Sequence, residues 1–323
     1  MKTNITVIGG GTGTFNVLYG LKKREDFNLA AIISMTDNGG STGELRDQFG
    51  ILPPGDIRRA IAALSEDTGM VRRLFDYKFK KEGKLQGHSV GNILLTALTD
   101  INGGFEEGIE ALSSMFNVKG KVIPVTLDDI HLGVELENGE KIIGETNIDI
   151  PKHNSDLVIK DAFLIGEGKI NTKAKESILN SDYIIIGPGD LYSSVVPNLL
   201  IEGIKDVLNL SKGKVIYVCN IMTKRGETNN FGVEDFVDVI EKYIGTGRID
   251  YVLVNNGWID EELVEKYKLE EGKKPVKIKD LSAFEGKTYK IVERDLLDEE
   301  DYIRHNPKKL AQAIKDFVDE WIK

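Results

Sequence analysis

An apolar run that empties into four glycines constrains this chain more than any other feature. Asn4-Ile5-Thr6-Val7-Ile8 reads as a short buried strand. Gly9-Gly10-Gly11-Thr12-Gly13 then turns the backbone before a helix with Phe15, Leu18 and Leu21 on one face. Glycine carries no Cβ, so this turn can take positive φ and come within contact distance of a ligand. The free N–H groups at the helix start form a seat for an anion, most often a phosphate. A second apolar strand, Leu29–Ser34, completes a strand–helix–strand unit, which demands parallel pairing and a right-handed crossover.

The pattern recurs along the 323 residues. The second strand opens into Thr36-Asp37-Asn38-Gly39-Gly40-Ser41-Thr42-Gly43, where Ser41 and Glu44 have the spacing of a capping box. Pro53-Pro54-Gly55-Asp56 is a rigid turn with Asp56 placed to cap the helix of Ile57, Ile61 and Leu64. Residues 69–79 continue helically. Gly87-His88-Ser89-Val90-Gly91-Asn92 opens an apolar helix with His88 and Asn92 on one face. Three further apolar strands, 183–186, 214–219 and 251–254, end in polar loops. The first of these loops carries Gly187, Gly189, Asp190, Tyr192 and Ser193, the second Asn220, Thr223 and Thr228. Between the two halves, Leu132–Glu137 alternates with period two, turns at Asn138-Gly139 and returns through Lys141 to Asn147, a hairpin signature. The expected fold is a Rossmann-like three-layer α/β/α domain over 1–323 with a mostly parallel sheet. It carries a small antiparallel insertion at about 117–170, which takes in the strands at Lys121–Val125 and Leu157–Ile165, and a helical end at about 296–323. Asn306 as cap and Pro307 at the first position signal the last helix.

Five apolar strands discharging into Gly, Ser, Thr, Asn and Asp on one edge define a ligand crevice. Gly9 and Gly11 match the first two glycines of the dinucleotide fingerprint, but Thr14 stands where Gly or Ala is needed for helix–strand packing, so a nicotinamide dehydrogenase is disfavoured. Asp37 and its neighbours would hold a Mg²⁺ bridging phosphates, while Asp56 reads equally well as a helix cap. Arg46 and Arg58 are placed to grip phosphate or to lie solvated on helix faces. His88 is a candidate general acid or phosphate donor, or a hydrogen-bonded structural residue. Asp37 and His88 are the candidates for catalysis, and no nucleophile is self-evident. His131 and His153 lack metal-ligand companions. No Walker sequence, Gly-x-Ser-x-Gly elbow or His-Glu-x-x-His occurs. The net charge of -10 argues against nucleic acid and anionic membrane, no apolar run is long enough to span a bilayer, and the single cysteine, Cys219, fits a reducing interior. These features point to a cytoplasmic protein with a small-molecule nucleotide partner and leave a homo-oligomer open.

The combination of Gly9–Gly13, Thr36–Gly43 with Leu45-Arg46, Pro53–Arg58, Gly87-His88-Ser89 with Gly91-Asn92, and Gly187–Ser194 with Pro197-Asn198 resembles the bacterial gluconeogenesis factor family. Cys219-Asn220, Met222-Thr223 and Gly226-Glu227-Thr228 extend that resemblance over essentially the whole chain. The family shares a fold with 2-phospho-L-lactate transferase, the enzyme of deazaflavin coenzyme synthesis. The resemblance implies a cytoplasmic protein required for cell shape and wall synthesis on gluconeogenic carbon sources. It also implies a site for a UDP-sugar, UDP-N-acetylglucosamine in particular, contacted by Tyr267 and Arg304. Some relatives carry a regulatory phosphothreonine just after the Arg-His pair, and Pro307 departs from that pattern. Two readings follow from the resemblance: a regulatory nucleotide-sugar-binding protein, or a Mg²⁺-dependent transferase moving a phospholactyl group from a nucleotide diphosphate to a deazaflavin.

Overall fold

The computed structural model describes residues 2–66, 68–298 and 302–321. Among the described residues ten strands run in chain order: β1 (Thr3–Gly9), β2 (Phe27–Ile33), β3 (Lys121–Pro124), β4 (His131–Leu136), β5 (Lys141–Ile143), β6 (Ile159–Ile165), β7 (Tyr183–Ile186), β8 (Lys214–Val218), β9 (Tyr251–Asn255) and β10 (Lys290–Arg294). Seven form one sheet in the order β10-β9-β8-β7-β1-β2-β3, with every pairing parallel. Helices cover both faces, so the inner strands bury both rows of side chains. Ile184, Ile185 and Ile186 are each wholly buried, as are Val7, Ile8, Val215 and Ile216 beside them. Each such side chain contributes roughly 1.5–3 kcal/mol on leaving water.

Chain order sets where this sheet can hold a ligand. From β1 the chain winds outward through β2 and β3. It then returns to β7, on β1's other side, and winds the opposite way through β8, β9 and β10. Val7 lies opposite Ala31 on one side and Ile185 on the other. The chain therefore leaves β1 and β7 towards opposite edges of the sheet, and a crevice opens above their carboxyl ends.

A three-stranded antiparallel sheet, β5-β4-β6, stands beside this edge. It is smaller than the 117–170 insertion expected from sequence. Lys121–Pro124 belongs to the main sheet, pairing in parallel with Ala30–Ile33, because Val122 and Ile123 are buried there. The hairpin's return strand stops at Ile143. Gly144, with φ at 94°, turns the chain into a short helix, Glu145–Asp149, where a strand to Asn147 was expected. The last helix spans Pro307–Trp321, with Asn306 Oδ1 accepting from the N–H groups of Lys308 and Lys309 at 2.9 and 3.2 Å. No described helix is long and apolar enough to cross a membrane.

Candidate functional site

A cavity of about 740 Å³ occupies the crevice above β1 and β7, within the range of small-molecule sites. Its floor is the glycine turn. Gly10 precedes the helix Gly11–Leu21 in extended conformation, and Gly11 takes φ of 65°. A side chain at Gly13 would sit 2.2 Å from the Pro188 carbonyl oxygen, so the β1 and β7 loops press directly together here. The anion seat has an unexpected occupant. Asp56 Oδ2 accepts from the Gly11 N–H at 3.0 Å. The helix Pro54–Leu64 starts with Pro53 at its cap position, so Asp56 lies in its first turn and caps the neighbouring helix instead of its own.

One wall is acidic. Asp37 Oδ1 accepts from the Gly39 N–H at 2.9 Å, and burial, followed by the charge of Asp56, pushes its carboxyl above the usual range. Glu145 and Asp149, from the unexpected short helix, face the same space. Burial first, then Asp37, Asp149 and Asp56, drives Glu145 up to about 9. This wall would favour a cation beside a bound phosphate, but the oxygens of Asp37, Asp56 and Glu145 do not gather within 4.8 Å of one another, so the expected Mg²⁺ would rest on Asp37 with phosphate oxygens and not on a preformed carboxylate triad.

Asp149, Asp190 and Glu227 do bring oxygens within 4.8 Å of one another, but the Lys224 ammonium sits among them. Lys224 Nζ is 2.8 Å from Asp190 and 3.1 Å from Glu227, and it pairs with Asp149 as well. Burial pulls that ammonium down, and the three acids together hold it above its ordinary value. Glu227 is fully engaged, accepting from the N–H groups of Tyr192 and Ser193 at 3.0 and 3.3 Å and from Ser193 Oγ at 2.8 Å. Burial nevertheless pushes its carboxyl up against the pull of Lys224. This second group therefore suits a lysine, not a metal, and Asp37 is no part of it.

A polar chain runs along the opposite wall. Arg58 Nε donates to Asn92 Oδ1 at 3.0 Å, while its Nη1 pairs with Asp76. Asn92 Nδ2 is thereby turned to donate to Ser41 Oγ at 3.2 Å. Ser41 Oγ lies 3.0 Å from His88 Nδ1, and His88 Nε2 lies 3.0 Å from Glu44 Oε2. The capping box is thus not formed. The helix Gly40–Phe49 begins one residue before Ser41, behind Gly39, and both Ser41 and Glu44 turn to His88.

The far end is built from β8 and the tail. Asn220 Nδ2 donates to the Gly189 carbonyl at 2.8 Å, and Thr223 Oγ1 accepts from the Lys274 N–H at 2.9 Å. Tyr267 reaches the cavity from the helix Glu261–Glu271, none of whose residues is buried. Lys273 and Arg304 add positive charge, and the Arg304 guanidinium lies 4.5 Å from the centre of the Tyr302 ring. His305 is buried, which lowers it to about 4, and its carbonyl accepts from Asn16 Nδ2 at 3.2 Å.

The expected ligand residues divide accordingly. Gly10 to Gly13, Thr36, Asp37, Gly39 and Ser41 face the cavity, and so do Asp56, Arg58 and Asn92 across from them. From the second half come Gly189, Asp190, Ser193, Asn220, Thr223, Tyr267 and Arg304. Seven others stand behind this wall. Arg46 is turned away to Asp129 and the Ile130 carbonyl. Tyr192 Oη donates to the Ile159 carbonyl at 3.4 Å, and Thr228 Oγ1 accepts from the Lys224 N–H at 2.8 Å. Asn38 Oδ1 accepts from the Thr146 N–H at 3.0 Å. Gly9 packs against Thr14, Gly187 against the end of β8, and His88 lies behind Ser41, in hydrogen-bond contact with it. Glu145, Asp149, Lys224 and Lys273 were not expected at the site.

Comparison with known proteins places the chain in a family and agrees with the fold. The pattern of the family described as 2-phospho-L-lactate transferase CofD matches residues 5–297. A Thermoanaerobacterium thermosulfurigenes protein is 41% identical over 319 residues, 98% of this chain and 97% of that one. The gluconeogenesis factor of Bacillus subtilis is 37% identical over 322 residues, 99% of each chain. A crystal structure of a Bacillus halodurans protein superposes with a TM-score of 0.91 at 37% identity, over 98% of this chain and 100% of that one.

Proposed function

The chain belongs to the 2-phospho-L-lactate transferase CofD family, and on that footing we propose that it is a gluconeogenesis factor that binds a nucleotide sugar in the crevice. The ligand in this reading is UDP-N-acetylglucosamine, and the protein acts in the cytoplasm to support cell shape and wall synthesis on gluconeogenic carbon. One observation carries the proposal. A phosphate-type glycine turn and a cationic end with an aromatic ring, Tyr267 with Lys273 and Arg304, open into one cavity. A diphosphate flanked by a base and a sugar needs that combination of polar cradle and stacking surface. The acidic wall favours Mg²⁺ beside the diphosphate, with Asp37 as its proposed protein ligand.

Calorimetry with UDP-N-acetylglucosamine, UDP, GDP and NAD, each with and without Mg²⁺, tests this directly. Tightest binding by the UDP-sugar supports the proposal, and absence of heat with it removes the proposal. The acidic wall and the family match favour a second reading, in which a metal-bound nucleotide diphosphate donates a phospholactyl group to a deazaflavin. Nucleotide release from activated phospholactate, only with deazaflavin and Mg²⁺ present, distinguishes transferase from sensor.

A further inference from the structure

The chain Arg58–Asn92–Ser41–His88–Glu44 fixes the direction of every hydrogen bond in it. Guanidinium nitrogen only donates, so Asn92 must turn its oxygen to Arg58 Nε, 3.0 Å away, and its amide nitrogen to Ser41 Oγ, 3.2 Å away. An ionised carboxylate only accepts, so His88 Nε2 carries the proton that meets Glu44 Oε2 at 3.0 Å. With neutral imidazole, Nδ1 is then bare and accepts the hydroxyl proton of Ser41 at 3.0 Å. Ser41 therefore gives its proton to a base whose far side is held by a carboxylate, which is the logic of an activated serine.

The surroundings suit this role. His88 is buried, and its backbone is tied on both sides: its N–H donates to the Leu85 carbonyl at 3.1 Å, and its carbonyl accepts from the Phe79 N–H at 3.1 Å. Ser41 faces the cavity from the first turn of its helix, which is closed by the N–H groups of Thr42 and Gly43 donating to the Gly39 carbonyl at 2.9 and 3.3 Å. Nothing in a purely structural cap requires the imidazole and carboxylate behind it.

We propose that Ser41 is a nucleophile, with His88 as its general base and Glu44 positioning the ring, and that it attacks phosphorus in a nucleoside diphosphate ester lying in the cleft. In the first step the Ser41 Oγ–P bond forms and the anhydride P–O bond breaks. The nucleoside monophosphate leaves with the bonding electron pair, and the serine proton passes to His88 Nδ1. In the second step water attacks the phosphoserine diester, the Oγ–P bond breaks, and His88 returns its proton to Ser41 Oγ while the protons of water go to solvent. The net change is hydrolysis of the diphosphate to a nucleoside monophosphate and a phosphate monoester. The nature of the substrate rests on the nucleotide-sugar reading, whereas the reactivity of Ser41 does not.

Two assays keep those parts separate. Diisopropyl fluorophosphate needs no sugar recognition: Ser41 Oγ–P forms, P–F breaks and fluoride leaves. Intact-mass and peptide analysis should place the adduct on Ser41, with none in Ser41→Ala and labelling about 10²-fold slower in His88→Ala, the scale of a lost general base. Added imidazole should restore labelling of His88→Ala, which a merely structural histidine would not permit. Glu44→Gln should label more slowly than Glu44→Asp, and thermal unfolding of each variant checks the fold. Release of UMP from UDP-N-acetylglucosamine should likewise need Ser41. No adduct on Ser41, or UMP release unchanged in Ser41→Ala, overturns the proposal. Labelling of Ser41 without any calorimetric binding of the UDP-sugar keeps the nucleophile and removes the nucleotide-sugar reading.

Discussion

Asp56 Oδ2 accepts a hydrogen bond from the backbone N–H of Gly11 at 3.0 Å, so the anion seat of the first helix is held by an anion of the protein's own. A phosphate arriving at the glycine turn meets a carboxylate. It can settle there only by displacing Asp56 or alongside a cation that neutralises both.

Asp56→Ala should therefore strengthen binding of UDP-N-acetylglucosamine in the absence of Mg²⁺, by about tenfold or ~1.4 kcal/mol, and weaken the response to Mg²⁺. The same change should cost roughly 1–2 kcal/mol of stability as a lost helix cap. Calorimetry with and without Mg²⁺ and thermal unfolding check both halves. Weaker binding under both conditions would contradict the argument.

Glu145 gives a pH dependence of definite sign. Its folded value of about 9 stands above the ordinary 4.5, so between those limits the folded chain binds more protons than the unfolded one. Its contribution to stability falls as pH rises through that window. Glu145→Gln cannot ionise, and its stability relative to the parent should grow from pH 5 to pH 9, by an amount on the order of a few kcal/mol. Urea melts at pH 5, 7 and 9 follow the divergence. Mg²⁺ binding near pH 8 should release protons, read as a dependence of binding heat on buffer ionisation enthalpy.

Lys224→Met should be severely destabilising. It leaves Glu227, whose side chain is wholly buried, beside Asp190 without a cation, at a cost of roughly 3–5 kcal/mol. Glu227→Gln in the same chain should recover much of that loss. Chemical denaturation of the single and double variants measures it, and additive losses would show that the pair is not coupled.

Arg46 and Arg304 separate scaffold from site. Arg46→Ala removes the contacts with Asp129 and the Ile130 carbonyl and should lower stability with unchanged ligand affinity. Arg304→Ala should do the reverse, weakening the UDP-sugar while the melting temperature holds. An effect of Arg46→Ala on affinity at full folding would return that residue to the binding wall.

The central strands were legible because each combines a short apolar run with a polar discharge, and both signals are local. The glycine turn was legible for the same reason. The strand at Lys121–Pro124 was legible but its place in the main sheet was not, since four residues ahead of a clear hairpin carry no mark of their partner at Ala30–Ile33, some ninety positions earlier. Ser41 and Glu44 have the spacing of a capping box, yet a histidine 47 residues past Ser41 binds both. Glu145 was hidden in the returning arm of the hairpin, where alternation masked the helix that Gly144 starts. The Lys224 cluster draws on three separated stretches, and only the folded chain brings those charges together.

The hydrogen bond from Asn16 to the His305 carbonyl joins two stretches 289 positions apart, so residues made far apart in time share one wall. A growing chain displays its glycine turn long before Arg304 has been added. Until then the crevice is incomplete, because the nascent polypeptide lacks a cation that shares the cavity with the glycine turn.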